Sequence, residues 1–396
     1  MTIRHSKKRG AAALLSVLLL ASCRSHDFPN YSAKYREYAY VSNSGSNTVT
    51  VLDLVNIRLD HIIEVGMHPV GLAASPTRNE IYAVNSASGT VSVIDAEKNE
   101  IAATIPVHRQ PYSISVDAQG KRGYVANSGS NTVSVIDLAG RRVVATVGVG
   151  EQPGLARIAP DASAIAVSNH GGNSVSIIDP VALKVRSVWE GCPGATDIAI
   201  LPDSSKAFVA CSGGHQVMDI WLAASPDSWR GRQDATMQHD QLLALLDVGK
   251  TPTHLALKPD QGEVFATNFD SNSISEISTW TNEVTGTYIV GTNPSRAIIS
   301  RDDSSLWVTN FGADNITLYS ISDGRLITGI RTGSHPDALA FCVCDNKDEH
   351  LLLVVDSGSG DVAVIRNQLN LPPSLFTMLS AGSHPNDIVV KSVKAK

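Results

Sequence analysis

Three histidines share one sequence context, because each directly precedes a proline: His68, His335 and His384. Imidazoles can bind a transition metal, a haem edge or an anion when a fold brings them together. Elsewhere the residue before such a proline is polar without being histidine, at Gln110, Gln152, Thr251 and Asn293. Two interpretations therefore stay open: a ligand-binding cluster, or a position that tolerates many polar residues.

A second set of polar residues follows the same prolines, or Ala195 where proline is replaced. The second residue after this position is Asp197, His254 and Arg296 in three consecutive copies. Asp387 holds the equivalent position near the C-terminus, and Arg157 lies two residues further along in its own copy. Such a group could hold an anionic ligand, or polarise a carbonyl or a water molecule. The alternative is the wall of a water-filled channel whose charges neutralise one another.

These residues recur because the chain is built of repeats. Residues 124–137 read as two strands joined by an Asn-Ser-Gly-Ser-Asn turn, and they recur at 40–53 and 82–95. The residue that ends the first of these strands marks each copy, at a spacing of about 42 residues. The markers are Asn43, Asn85, Asn127, Asn169, Cys211, Asn268, Asn310 and Asp356. The chain therefore holds eight copies.

Each copy supplies four strands. Strand A follows the proline, strand B ends at the marker, strand C has the pattern Val-Ser-Val-Ile-Asp, and strand D is an outer strand such as residues 143–147. Four short strands per repeat predict an all-β protein, an eight-bladed β-propeller with four antiparallel strands per blade. Seven blades are the alternative. The chain starts at strand B and ends at strand A, so we expect the C-terminal strand to join the N-terminal blade and remove an open edge.

The repeat motifs, such as Tyr40-Val-Ser-Asn43 and Tyr124-Val-Ala-Asn127, resemble the bacterial and archaeal "YVTN" β-propeller repeat family. The resemblance extends over residues 38–392, followed by a short tail at 393–396. Members of the family usually have seven blades. Eight blades are similar to the haem-d1-binding propellers of nitrite reductase and to quinoprotein alcohol dehydrogenases, and a shared fold does not transfer function.

A propeller places these residues on defined faces. The D-to-A and B-to-C connections share one face, here named the top, and strand A lines the channel. We expect His335, His384 and His68 at the top entrance on three neighbouring blades, and the residues of the second set in the channel. The marker Asn residues should cap the B-to-C turn through backbone N–H groups, and Asp53 and its equivalents should cap the next turn.

The N-terminus predicts an export signal. Residues 1–22 combine a basic start with an apolar stretch too short to span a bilayer in the mature protein. They end in Leu20-Ala-Ser-Cys23, which resembles the bacterial lipobox. The resemblance implies cleavage before Cys23 and acylation of that residue, which would anchor the protein in a lipid bilayer. Arg24 follows instead of Asp, which favours the outer membrane, facing the periplasm. Residues 23–37 are then a tether; the alternative is a plain signal peptide.

The remaining cysteines would lie in an oxidising compartment, where pairing occurs. Cys192 and Cys211 fall in top-side connections of one blade, so a disulfide could hold a loop whose two markers are replaced. Cys342 and Cys344 are two residues apart, and we expect free or buried thiols there. The longest insertion, residues 223–241, lies between strands C and D of the fifth blade and could bind a partner or be a surface excursion.

The composition is that of an ordinary soluble domain, with 43% hydrophobic residues, 18% charged residues and a net charge of −6. The predicted mature chain has no basic run, so nucleic acid is not an expected partner. Motifs for a serine nucleophile, a zinc protease, a phosphate loop or a dinucleotide site are absent. The sequence therefore favours a non-catalytic binding or interaction platform for a cell-envelope protein or a small anionic ligand. The alternatives are a propeller that binds haem, a transition metal or another redox cofactor, and a lactonase-like hydrolase.

Overall fold

The computed structural model describes residue 31 and residues 34–224, 238–344, 350–367 and 371–394. Cys23 and residues 225–237, which form most of the predicted insertion, lie outside the described residues. The described residues form 32 strands in eight four-stranded sheets. The prediction of an all-β, eight-bladed propeller is therefore confirmed.

The strands of blades 1 to 4 follow the repeat closely. Blade 1 comprises β1 (Tyr35–Asn43), β2 (Thr48–Asp53), β3 (Arg58–Glu64) and β32 (Pro385–Lys394). Blade 2 comprises β4 (Pro69–Ala74), β5 (Glu80–Asn85), β6 (Thr90–Asp95) and β7 (Glu100–Pro106). Blade 3 comprises β8 (Pro111–Val116), β9 (Arg122–Asn127), β10 (Thr132–Asp137) and β11 (Arg142–Gly148). Blade 4 comprises β12 (Pro153–Ile158), β13 (Ile165–Asn169), β14 (Ser174–Asp179) and β15 (Lys184–Glu190).

Blades 5 to 8 keep the same order around two longer connections. Blade 5 comprises β16 (Ala195–Ile200), β17 (Lys206–Cys211), β18 (Gln216–Trp221) and β19 (Gln241–Asp247). Blade 6 comprises β20 (Pro252–Leu257), β21 (Glu263–Asn268), β22 (Ser273–Ser278) and β23 (Glu283–Ile289). Blade 7 comprises β24 (Pro294–Ile299), β25 (Ser305–Asn310), β26 (Asn315–Ser320) and β27 (Arg325–Arg331). Blade 8 comprises β28 (Pro336–Phe341), β29 (Leu351–Asp356), β30 (Asp361–Arg366) and β31 (Ser374–Ser380). Short 3-10 turns occupy Ser128–Ser130 and Phe269–Ser271.

The ring closes through its two ends. In blade 1 the strand order is β3-β2-β1-β32, and the pairing of β1 with β32 is antiparallel. The expectation that the C-terminal strand completes the N-terminal blade is therefore confirmed. β1 begins at Tyr35, inside the segment predicted as a tether, because Tyr35 and Glu37 pair with Lys394 and Ser392. The strand pair that closes the ring, β1 with β32, is therefore longer than the repeat pattern indicates.

The core lies between neighbouring blades. Tyr82 and Val84 of blade 2, for example, pack in one buried cluster with Val125 and Ile136 of blade 3. Aromatic and β-branched side chains at alternate strand positions face the next blade, as expected for a wedge buried on both sides. Within the described ranges, no helix has the length and hydropathy needed to cross a membrane.

One backbone contact fixes the top face in all eight blades. The residue after each marker donates its N–H to the carbonyl of the residue before the proline position. The donor–acceptor pairs are Ser44–His384, Ser86–His68, Ser128–Gln110, His170–Gln152, Ser212–Gly194, Phe269–Thr251, Phe311–Asn293 and Ser357–His335. The residue that accepts this bond has a positive φ in every blade, between 47° at Gln152 and 57° at Gly194. Asn, His and Gly tolerate this conformation better than β-branched residues do.

The marker Asn residues are buried and fix the B-to-C turn differently from the prediction. The amide of Asn127 donates to the hydroxyls of Thr132 and Ser134 at 3.2 and 2.9 Å. Asn43 does the same with Thr48 and Thr50. The expectation that these residues bond backbone N–H groups is therefore wrong, because the strand C hydroxyls lie closer to the side chain. The Asp caps are confirmed, since Asp53 accepts from the N–H groups of residues 55 and 56.

Candidate functional site

A cavity of about 740 Å³ opens at the top of the channel. Strand A of several blades and the B-to-C turns of blades 3, 4, 6 and 7 form its wall. All five residues that the sequence places in the channel line this cavity: Asp197, His254, Arg296, Arg157 and Asp387. Their role in binding stays a prediction, but the structure brings them together.

A β-bulge at the start of each strand A decides which side chains reach the cavity. In blade 3, Pro111 pairs with Asn127 and Ser113 pairs with Ala126, so Tyr112 is an extra residue. Register shifts at the same place occur in all eight blades. Because a bulge re-aims side chains, the first and the second residue after the proline position both line the cavity in blades 2 to 7, and one of the two lines it in blades 8 and 1. Simple alternation along the strand identified only the second.

The bulge adds residues that sequence reasoning missed. Tyr112 and Asp337 directly follow their prolines and line the cavity, and the Tyr112 side chain is 53% exposed. Phe269 and Phe311, which directly follow the markers of blades 6 and 7, also line it. Their rings lie 6.2 Å apart between centroids. A signal for them exists in the sequence, because most blades have Ser after the marker.

Side chains of the channel also tie neighbouring blades together. Asp197 of blade 5 accepts from the N–H of Leu255 at 2.9 Å, and Asp387 of blade 1 accepts from the N–H of Leu72 at 2.8 Å. Nδ1 of His254 accepts from the N–H of Ala297 at 3.3 Å. Each contact runs from one innermost strand to the next. These three residues therefore belong to the ring framework as well as to the cavity wall.

These contacts also define the protonation of His254. Because Nδ1 accepts a hydrogen bond, the proton of the neutral ring lies on Nε2, which is 3.6 Å from the Asp197 carboxylate. Burial lowers the pKa of His254 to about 4, against the attraction of Asp197 and with the support of Arg296 and Arg157. The imidazole is therefore neutral at physiological pH, and its one lone pair, on Nδ1, is occupied by the N–H of Ala297.

Arg296 is the cation at the centre of the site. Burial opposes its charge, yet the carboxylates of Asp387, Asp337 and Asp197 raise its pKa. None of these carboxylates lies within 4 Å of the guanidinium, and no other described residue pairs with it directly. Burial raises the pKa of Asp387, while Arg296 and two backbone N–H groups lower it. A fully charged guanidinium thus faces the cavity without a direct protein partner.

Arg157 provides a second cation at the same height. Its guanidinium lies 3.8 Å from Asp197, and about half of its side chain is exposed. That distance is an ion pair without a hydrogen bond, so the donor groups of Arg157 remain available to a ligand. Two arginines therefore face the cavity from blades 4 and 7, as the sequence predicted for an anion site.

The three entrance histidines do not form a cluster of metal ligands. Among the described residues, the group of three or more His, Cys, Asp or Glu side chains with suitable spacing is Cys342, Cys344 and His350. His335 stacks on Phe311 at 4.5 Å, and His384 bonds to the Ser383 hydroxyl through Nδ1. The left-handed backbone before the proline accounts for histidine at these positions without a ligand. Binding by these residues stays a prediction.

Another imidazole, missed by sequence reasoning, lines the cavity. His170 directly follows the marker of blade 4 and is exposed on the wall. Its ring has no hydrogen bond to the residues that the structure describes, in contrast to His254. The sequence signal is again the replacement of Ser after a marker.

Both cysteine pairs are joined in the structure. Cys192 and Cys211 have Cα atoms 4.8 Å apart, and they hold the top connection of blade 5 against strand B. Cys342 and Cys344 are also paired, with Cα atoms 5.2 Å apart. The expectation of free thiols at the second pair therefore differs from the structure, because the chain turns sharply at the end of β28.

Comparisons with known proteins agree with the propeller architecture. The model of a family described as YNCE-like beta-propeller matches residues 21–158. A comparison with curated proteins gave no sequence match. This match and the structural similarities below confirm the predicted resemblance to repeat propellers and to haem-d1-binding propellers.

Solved structures share the fold at low sequence identity. Dihydro-heme d1 dehydrogenase NirN in complex with DHE is 15% identical, with a TM-score of 0.69, and the match covers 95% of this chain and 78% of that one. AztD from Citrobacter koseri is 12% identical, with a TM-score of 0.66 and coverage of 91% and 99%. Hydrazine synthase from Kuenenia stuttgartiensis is 18% identical, with a TM-score of 0.55 and coverage of 84% and 92%. At these identities the similarity establishes the fold alone.

Proposed function

We propose that this protein is a lipid-anchored, extracytoplasmic binding protein that holds a small anionic organic ligand at the channel entrance without transforming it. The observation that carries the proposal is Arg296, a charged guanidinium that faces the cavity and lacks a direct protein partner. A partly buried cation without a protein partner is stabilised by an anionic ligand oxygen, and Arg offers a two-pronged donor for carboxylate or phosphate.

The rest of the wall defines the other ligand groups. Phe269, Phe311 and Tyr112 offer flat apolar surface for a ring or another planar part of the ligand. Asp337 and Asp387 accept hydrogen bonds, so the ligand should also carry a donor such as a hydroxyl or an amine. The volume of about 740 Å³ lies in the usual range of about 300–1,000 Å³ for sites of organic ligands.

The state of His254 supports binding without catalysis. A general base must present a free nitrogen to the substrate. The one lone pair of neutral His254 lies on Nδ1 and accepts the N–H of Ala297, while Nε2 carries the proton. A lactonase-like reaction would therefore lack its base at this residue, and the geometry favours a binding function.

The cellular location in this proposal rests on the sequence. The signal peptide and Cys23 support export and acylation, and the net charge of −6 gives no attraction to nucleic acid. An anchored propeller would present its cavity to the periplasm or to a cell-envelope partner. Such a partner would receive or deliver the ligand at the top face.

One observation favours a second candidate, a tetrapyrrole cofactor as the ligand. His170 lines the cavity with a free ring, and a protein of the same fold, NirN, has a solved structure in complex with DHE. The two arginines would suit carboxylates, and Phe269 and Phe311 would suit a flat macrocycle. His170 would hold the metal of such a group, which would supply electron transfer when bound.

The test is to purify the full mature protein from its own membrane fraction and to record its native mass and visible spectrum. We expect a bound organic mass that denaturation releases, and no visible absorption. Strong visible absorption would support the tetrapyrrole instead. A protein with neither bound mass nor colour, and with no thermal shift across a panel of organic anions, would overturn both candidates.

Variants assign the ligand to the site. Arg296→Gln should reduce ligand occupancy or affinity by at least about tenfold, because a charge-assisted pair is lost. Arg331→Gln is the matched control, since Arg331 is an exposed arginine on the outer strand of the same blade. Equal loss in both variants would contradict the assignment.

A further inference from the structure

A second cluster of reactive side chains lies at the bottom face, far from the channel entrance in the fold. The A-to-B connection of blade 8 carries Cys342, Cys344 and His350, all buried, at 1%, 0% and 7% exposure. One ligand atom of each residue lies within 4.8 Å of the others. Sγ of Cys344 is 3.7 Å from Nε2 of His350. The three side chains therefore converge on one point.

This connection differs from its equivalents in other blades. The N–H of Cys342 donates to the carbonyl of Leu351, which is the same closing bond that Ser75 makes to Glu80 in blade 2. The other described A-to-B connections are shorter and contain neither cysteine nor histidine, at residues 75–79, 117–121, 159–164, 201–205, 258–262 and 300–304. Cysteine and histidine thus occur together at one bottom connection out of these seven.

The closing strand holds the connection in place. Glu37 of β1 is 1% exposed, and its carboxylate accepts the N–H groups of Val343 and Cys344. The Tyr35 hydroxyl donates to the same carboxylate at 2.7 Å. Backbone bonds to a buried carboxylate fix both cysteines relative to blade 1. The ligand atoms are therefore preorganised by the ring closure itself.

The ligand set has a clear chemical preference. Two thiolates and one imidazole suit a thiophilic cation such as Zn²⁺, which binds Cys sulfur and His nitrogen and accepts a fourth ligand from water. The Tyr31 hydroxyl is hydrogen-bonded to Nε2 of His350 at 3.0 Å, so coordination of the cation through this nitrogen would replace that bond. A disulfide that only cross-links the chain would not require His350, and a bridge over two residues constrains the unfolded chain less than the Cys192–Cys211 bond does.

We propose that Cys342, Cys344 and His350 form a redox-gated binding site for a thiophilic divalent cation. In the disulfide form, the sulfurs are bonded to each other and the site is closed. A dithiol reductant gives two electrons and two protons to the disulfide, which yields two thiols and the oxidised reductant. Binding of Zn²⁺ then releases one proton from each thiol, and His350 coordinates as the neutral imidazole.

The experiment titrates Zn²⁺ into the full mature protein before and after reduction by dithiothreitol and its anaerobic removal, with a chromophoric chelator as competitor. We expect one tightly bound Zn²⁺ per reduced chain and none in the oxidised protein. Replacement by Co²⁺ should give a sulfur-to-metal charge-transfer band. Absence of uptake by the reduced protein, or equal uptake by the oxidised protein, would overturn the proposal.

Variants separate this site from the second cysteine pair, which reduction also opens. Cys192→Ser with Cys211→Ser should still bind one Zn²⁺, whereas Cys342→Ser with Cys344→Ser should bind none. Should the latter fail to fold, His350→Gln keeps both thiols and should weaken Zn²⁺ binding by at least about tenfold. Undiminished binding by His350→Gln would refute the ligand set. Arg296→Gln should leave Zn²⁺ uptake unchanged, so failure here is distinct from failure at the channel entrance.

Discussion

Blades 3 and 7 have the same hydrogen bonds at their turns, but the side chains that they present to the channel differ in charge. In blade 3 the marker Asn127 donates to Thr132 and Ser134, and in blade 7 Asn310 donates to Asn315 and Thr317. In both blades the residue after the marker bonds to the residue before the proline. The innermost position two residues after the proline is nevertheless Ser113 in one blade and Arg296 in the other.

The comparison teaches that the turn bonds common to the blades lie outside the channel wall, whereas the residues of the wall differ from blade to blade. The backbone bond at the top turn is present in every blade, and the bonds from the marker Asn to strand C side chains are present in the six blades that have this Asn. The inner wall tolerates any residue that the channel can solvate, so the charged and titratable residues can collect on blades 4 to 8 and on blade 1. Function in this fold should therefore depend on departures from the repeat.

The largest expected effect tests whether the marker Asn stabilises the two blades by the same free energy. Asn127→Ala and Asn310→Ala each remove a buried amide and leave two strand C partners without a donor. We expect each variant to lower the free energy of unfolding by about 2–4 kcal/mol in urea titrations. If one variant lost more than twice as much free energy of unfolding as the other, the two blades would not be equivalent.

The next effect compares the two cysteine pairs. The bond between Cys192 and Cys211 closes a loop with a sequence separation of 19, and that between Cys342 and Cys344 one of 2. Loop-closure entropy predicts about 3 kcal/mol of stabilisation from the first and about half of that from the second. Unfolding of the two double Cys→Ser variants under oxidising conditions measures both. Equal costs would show that packing of the sulfurs, rather than loop length, decides.

The pH dependence of stability compares two residues: Asp356, which replaces a marker Asn, and His254, which lies on the channel wall. Asp356 replaces the marker Asn in blade 8 and is fully buried next to Asp361, and burial first and then Asp361 raise the pKa of Asp356 to about 7. A carboxyl with a raised pKa stabilises the fold below its unfolded value of 3.8, and this contribution is lost as the pH rises toward 7. His254, with its pKa lowered to about 4, destabilises the fold as the pH falls from 6.5 to 4.

The two groups therefore give opposite slopes in the same pH window, and single variants should separate them. Asp356→Asn should gain about 2 kcal/mol over the wild type at pH 8 and little at pH 4.5. His254→Asn, whose carbonyl can still accept from Ala297, should gain about 2 kcal/mol at pH 4.5 and little at pH 8. Asp219, with a pKa raised to about 7 by burial, has the sign of Asp356 and remains as background in both variants. Parallel pH profiles for the two variants would contradict the assignment.

The smallest expected effect concerns the bulge. Tyr112→Ala should weaken the ligand of the channel entrance about threefold to tenfold, because an aromatic surface of the wall is lost. Val70→Ala at the same bulge position of blade 2 is the control and should change affinity by less than about twofold, since it removes only two methyl groups. An equal effect of both substitutions would mean that bulge residues shape the cavity without contacting the ligand.

Much of the architecture was predictable because it is local and repeated. The marker Asn, the proline and the Asp cap each define a turn within a few residues, and eight copies make the period plain. The five channel residues followed from counting positions after each proline. Tyr112 and Asp337 could not be predicted that way, because a bulge changes the alternation without any change in composition.

The sequence by itself determined the number of blades, the order of strands and the joining of the two ends, because the copies can be counted and the chain starts at strand B and ends at strand A. Tertiary structure alone decided which side chains meet across blades. The contact of His254 with Asp197 and the isolation of Arg296 involve residues on different blades, and the convergence of Cys342, Cys344 and His350 depends on how one connection folds back on itself. Their distances depend on twist, bulges and packing, which no local pattern records.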